Sequence, residues 1–171
     1  MPGSQLTTIE ISKDYLHFNS AHFTIFSATE REDLHGHTFY VRAFVTSPID
    51  ENGMAFDYNI LKSCLVRLCD QLDEKVLLPE NSPHLILGES DGYLVAEYGK
   101  DRLPFLPRDV RTLPIRNVTV EELAPWFLSE LEADPSVAEQ NIARLEVQVS
   151  SGPGQWAAAS NENGALKEDK A

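Results

Sequence analysis

The chain has 171 residues, and its 27 Asp and Glu against 14 Lys and Arg give a formal net charge of −13. Folding at this length hides roughly 70% of the unfolded chain's surface, so one core domain is expected, over residues 1–159. The acidic balance excludes a binder of phosphate backbones, and no apolar run nears the ~20 residues of a bilayer span; neither nucleic acid nor membrane is an expected partner.

Leu6–Ser12 alternates as a strand, and Tyr15–Phe23 reads as a second extended segment. A polar loop, Ser27–Leu34, leads into His35–Thr46, where His35, His37, Phe39, Val41, Ala43 and Val45 share one face of a pleat. Pro48–Gly53 is a turn, and Asp57 or Asn59 caps a helix running to about Leu72. Both cysteines, Cys64 and Cys69, fall in the apolar stripe of that helix and read as small buried hydrophobes. No secretory pattern opens the chain, so a reducing cytoplasm is the expected compartment.

Further along, Leu85–Leu87 and Tyr93–Tyr98 flank a Gly88–Gly92 turn as a hairpin. The proline-rich Lys100–Asn117 reads as an ordered but irregular connection. Thr119-Val120-Glu121-Glu122 fits a capping box with Glu122 as the partner, opening a second helix that Pro125 is expected to kink. Ala143–Ser150 alternates as a last strand, and residues 160–171 read as a disordered tail. This order points to an α+β sandwich, an antiparallel sheet with helices on one face.

Chemistry concentrates near the first two strands. Four of the five histidines lie between His17 and His37. His35 and His37 are one residue apart, so on a strand their imidazoles point the same way, about 7 Å apart. If the two strands pair, His22 joins them, whereas His17 points to the opposite face and His84 sits in a loop. Three imidazoles with a vacant fourth position describe a catalytic zinc site better than a structural one, which fills all four.

These residues carry a resemblance. Phe18-x-x-Ala21-His22, His35-Gly36-His37, Phe56-Asp57-Tyr58-x-x-Leu61-Lys62 and Leu72-Asp73 follow one another as in the 6-pyruvoyl-tetrahydropterin synthase family, whose series the 6-carboxy-tetrahydropterin synthases share. Thr119-x-Glu121, Val147-x-Val149 and Gly152-Pro153-Gly154-Gln155-Trp156-Ala157 are similar to its later motifs, so the likeness spans about Ile9 to Ala158. It implies a T-fold, a four-stranded antiparallel sheet with two helices on one face, closed into an oligomeric barrel as a homo-oligomer, trimer or hexamer. It also implies that His22, His35 and His37 hold Zn2+. The stretch from Ile86 to Asn117 is longer than in the shortest members.

Three positions depart from the family pattern. The loop before His35 has no cysteine, the relay histidine is replaced by Glu74 after Asp73, and the pterin-anchoring glutamate by Ser151. Glu32 matches a Glu-x-x-His-Gly-His variant in which a glutamate replaces the cysteine and the reaction resembles a retro-aldol cleavage. The same residues also suit a solvated loop in an acidic protein. The candidate catalytic groups are therefore Glu32, Asp73 and Glu74, and the candidate substrate contacts Thr119, Glu121 and Ser151. Glu121 can accept two N–H bonds from a 2-amino-4-oxo ring, or simply favour the first helical turn. Asp57 reads as a helix cap. The expected function is a zinc-dependent lyase acting on dihydroneopterin triphosphate or a related pterin side chain. The alternatives are a zinc enzyme for a non-pterin carbonyl or hydroxy compound, and a non-catalytic zinc-bearing scaffold.

Overall fold

The strand that carries the histidine pair organises the chain. In the computed structural model, which describes residues 5–161, β3 runs from His35 to Pro48. One of its edges pairs with β9 (Arg144–Ser150), which in turn pairs with β10 (Ala157–Ser160). The other edge pairs first with β1 (Leu6–Ile11), ending at Ile11↔Ala43, and then with β2 (His17–His22), starting at His17↔Tyr40. Counting β1 and β2 as one interrupted strand, the antiparallel part is four strands across. Two parallel strands extend it: β4 (Lys75–Pro79) beside β2, and β8 (Val110–Leu113) beside β4.

Two long helices cover one face. α1 (Asn59–Leu72) buries Leu61, Cys64, Leu65, Leu68, Cys69 and Leu72, the stripe its periodicity predicts. The expected cap at Asp57 or Asn59 is corrected: Tyr58 is the N-cap and makes no side-chain cap bond, while the Asp57 carboxylate, one residue earlier, accepts the Asn59 amide at 3.0 Å. α2 (Val120–Ala133) continues through Pro125, and a one-turn α3 (Pro135–Ala138) follows. Phe18 of β2 stacks on Phe39 of β3 with ring centroids 4.9 Å apart, and Phe127 of α2 lies 5.9 Å from Phe18. Each buried ring contributes about 1.5–3 kcal/mol, which ties the histidine-bearing strands to the helical layer. No helix of the described residues is long and apolar enough to cross a membrane.

The region after α1 departs from the expected irregular connection. β5 (Ile86–Ser90), β6 (Tyr93–Tyr98) and β7 (Asp101–Phe105) form a separate three-stranded meander. Its first turn is only Asp91-Gly92, with φ of 55° and 82°, so Gly88, Glu89 and Ser90 belong to the strand. A 3-10 turn over Pro107–Asp109 then leads into β8. Phe23, Ile25, Leu78, Leu85, Ala96 and Tyr98 give the meander its own small core. The capping box is also corrected. Thr119 occupies the N-cap without a side-chain bond, while Glu122 accepts the amide of Arg116 at 3.0 Å and pairs with its guanidinium. A charged, multiply donating partner outcompetes a single backbone amide. At the other end, Ser160 belongs to β10 and the Asn161 side chain accepts the Leu145 amide at 2.9 Å. The remainder of the expected tail, residues 162–171, lies outside the described residues.

Candidate active site

Strand alternation and register bring three histidines together. His22 pairs directly with His35, and all three rings project from the face of the sheet that also carries Phe18 and Phe39. Their ring centroids are 4.7 Å apart for His22 and His35, 5.2 Å for His22 and His37, and 4.8 Å for His35 and His37. One nitrogen from each ring lies within 4.8 Å of the others. Ligands ~2.0–2.1 Å from one tetrahedral ion are about 3.4 Å from each other, so small ring rotations suffice to bind one.

The hydrogen-bond pattern tests whether the residues suit a metal. His22 Nδ1 lies 2.8 Å from the Val118 carbonyl oxygen, and His35 Nδ1 lies 2.8 Å from that of Asp33. A carbonyl can only accept, so each Nδ1 carries the proton and each Nε2 presents a lone pair. His22 Nε2 is buried without any partner. His35 Nε2 faces His37 Nε2 at 2.9 Å. Burial pulls the His22 pKa down to about 4; the Val118 carbonyl opposes this shift, while the two other imidazoles add to it. A neutral imidazole with an unmatched lone pair is the protonation state that a metal ligand needs. The donor set fits zinc, with three nitrogen ligands and an open side.

That open side faces a cavity of about 270 Å³, lined by the histidines together with Glu32, Thr119, Glu121 and Ser151. The Glu32 carboxylate lies 3.9 Å from His35 Nε2 and accepts the Thr24 amide at 2.9 Å. Burial raises its pKa, but the bonds from Thr24 and the nearby imidazoles outweigh this and hold it below the ordinary glutamate value. Thr119 and Glu121 sit at the N-terminus of α2, where the helix dipole favours negative charge, and Ser151 follows β9.

Asp73 and Glu74 are not part of this cavity. Asp73 ends α1 and accepts the Asn19 amide at 2.7 Å and its side-chain amide at 3.2 Å. Glu74 adopts a left-handed φ of 57° and lines a groove of about 500 Å³ with Asn19, Ala21, Gly36 and Thr38. Those four positions alternate with the histidines along β2 and β3, but Ser20 and His37 border the groove as well, so it meets the histidine cluster at His37. Sequence reasoning missed the backbone groups that orient the site: the Val118 and Asp33 carbonyls and the Thr24 amide. It also missed Asn117, whose side chain accepts the Ile25 amide at 3.1 Å and donates to the Ile25 carbonyl at 2.9 Å. An asparagine two residues before the capping threonine was the available signal.

Residues 10–162 match the family described as 6-pyruvoyl tetrahydropterin synthase. The chain belongs to that family. Among curated relatives, a Methanocaldococcus jannaschii protein provisionally named 6-carboxy-5,6,7,8-tetrahydropterin synthase is 32% identical over 145 residues, covering 83% of this chain and 88% of its own. A Pyrococcus abyssi protein with the same provisional name is 31% identical over 142 residues, covering 82% of this chain and 83% of its own. Of solved structures, the 6-pyruvoyl tetrahydropterin synthase of Plasmodium vivax superposes with a TM-score of 0.85 at 29% identity, over 91% of this chain and 98% of that one. Two further structures of the Plasmodium vivax enzyme carry alanine or cysteine in place of a glutamate described as a catalytic residue.

Proposed function

We propose that this protein is a zinc-dependent lyase that cleaves the side chain of dihydroneopterin triphosphate, or of a closely related pterin, with Glu32 as the base. The observation that carries the proposal is the unmatched Nε2 of His22, buried beside two more imidazoles, with a carboxylate 3.9 Å from His35 Nε2. Two further facts support it: relatives carry tetrahydropterin synthase names, and a Plasmodium vivax relative has a glutamate described as catalytic.

His22, His35 and His37 hold the ion, which when bound supplies Lewis acidity toward the oxygens of the substrate side chain. Glu121 and Thr119 receive the 2-amino-4-oxo edge of the ring, and Ser151 borders it where a second carboxylate is lacking. Glu32 takes the proton from the second side-chain hydroxyl. Its oxygen closes a carbonyl as the bond between the first and second side-chain carbons breaks. The released pair passes into the adjoining ring C=N and returns when the first carbon is protonated. The products are a hydroxymethyl pterin and a triphosphorylated two-carbon aldehyde. Asp73 and Glu74 lie away from this cavity, so the proton-transfer role proposed for them would have to be served in the site of a neighbouring subunit. That role requires a homo-oligomer, whose mass in sedimentation equilibrium at micromolar concentration should be well above 19.1 kDa.

Metal-replete protein incubated with dihydroneopterin triphosphate, with products identified by mass spectrometry, tests the reaction. Glu32→Gln keeps the shape and removes the base, so turnover should fall by about two to four decades with bound zinc unchanged. Unchanged turnover rules out Glu32, and absence of any pterin product rules out the substrate.

A further inference from the structure

Arg31 precedes Glu32 on the loop and is held between Phe23, just after β2, and two residues of the meander. Its guanidinium carbon lies 5.1 Å from the Phe23 ring centroid and 5.6 Å from that of Tyr98 in β6. One terminal nitrogen donates to Asp101 of β7 at 3.0 Å, and the other donates to the Glu32 carbonyl at 2.8 Å. The Tyr98 hydroxyl adds a separate tie, donating to the Ser27 carbonyl at 2.7 Å. Within the loop, Ile25 bridges Arg31, and the Glu32 amide donates to the Thr24 carbonyl at 2.9 Å.

This arrangement is costly for a purely structural contact. Among the described residues, two buried side-chain polar atoms lack a hydrogen-bond partner: His22 Nε2 and Arg31 Nε. The first is explained by a metal. For the second, an aliphatic side chain would fill the gap between Phe23 and Tyr98 without stranding a donor, but it could not hold the Glu32 backbone. Arginine's planar fork does both, stacking on rings while donating in two fixed directions.

We infer that Arg31, anchored by Tyr98 and Asp101 of the meander, is a positioning residue that fixes Glu32 against the histidine triad. This rests on the reading of Glu32 as the base. The meander thereby has a task in the reaction without touching substrate. It replaces loop wandering with one geometry, and a displacement of an ångström at a reacting group can cost about a hundredfold in rate.

The test compares Arg31→Ala in the native and the Glu32→Gln backgrounds, with dihydroneopterin triphosphate as substrate. In the native background kcat should fall about ten- to a hundredfold, with KM within about twofold and zinc content unchanged. In the Glu32→Gln background the same substitution should leave the residual kcat unchanged, since Arg31 acts only through Glu32. Hydrogen exchange supplies a readout independent of turnover: the Glu32 amide should exchange faster in Arg31→Ala. If that variant fails to fold, Asp101→Asn, at an exposed position, carries the same comparison at smaller amplitude, with Asp101→Glu expected to restore kcat. An equal loss of kcat in both backgrounds, or unchanged exchange at Glu32, overturns the inference. Full turnover in Glu32→Gln overturns the assignment of the base instead, and exchange at Glu32 then decides the clamp alone.

Discussion

Two cavities in this molecule are built on opposite plans. The larger, about 530 Å³, lies where α1 meets α3, and the one holding the histidines is about 270 Å³. In the larger one charge is matched. Asp134 Oδ1 accepts the Ser136 amide at 2.9 Å and the Ser136 hydroxyl at 2.5 Å, while Oδ2 accepts from Arg67 at 2.5 Å. The Ser136 hydroxyl and then the Arg67 guanidinium hold the Asp134 carboxyl far below the usual carboxylate range. In the smaller one, lone pairs face each other or face nothing. Size therefore does not mark the candidate site here; the clustered, unmatched imidazole lone pairs do.

The sharpest way to break this contrast is to remove a ligand. His37→Ala should reduce zinc from one per subunit to near none by elemental analysis and abolish turnover, with the circular dichroism spectrum of the fold retained. Stoichiometric zinc in the variant would mean that the three histidines are not the ligand set.

A smaller effect is expected from the matched cavity. Asp134→Ala removes the cap of α3 and the partner of Arg67, and should cost about 0.5–2 kcal/mol of stability while turnover stays within twofold. The pH dependence follows from linkage. The folded carboxyl titrates below its unfolded value of ~3.9, so its contribution is complete above about pH 4 and lost as pH falls further. The melting temperatures of the two proteins should differ at pH 6 and converge toward pH 2. A gap that persists in acid would show that packing, not charge, carries the effect.

The smallest effect concerns the thiols. Burial, with the negative charges of Asp70 and Asp73 behind it, pushes the Cys69 thiol up to about 12. Burial raises Cys64 as well, even with Ser136 opposing it. A disulfide reagent at pH 8 should find no fast-reacting thiol in the native protein and two in denaturant. A fast native thiol would place reactive chemistry in the helical layer after all.

The histidine triad was legible because its signal is periodic: a His-x-His on a strand needs only alternation. The connection between Lys100 and Asn117 was not, because prolines read as strand breakers. β7 contains Pro104 and is an edge strand of the meander, where a missing donor costs no ladder bond. Likewise, the Glu122 carboxylate was assigned to the nearest amide because sequence distance says nothing of the Arg116 guanidinium folding back onto it. The groups that orient the imidazoles are peptide carbonyls, which every residue supplies, so no side-chain pattern could reveal them.

The pairing of His22 with His35 also bears on how the chain finds its alignment. A slip of one residue between β2 and β3 would turn His22 to the groove side while the other two rings stayed in place. A cation held by all three rings would thus stabilise the native register and leave the one-residue slip without that gain. An ion bound there would act as a gauge of strand alignment, rewarding only chains that have threaded these two strands correctly.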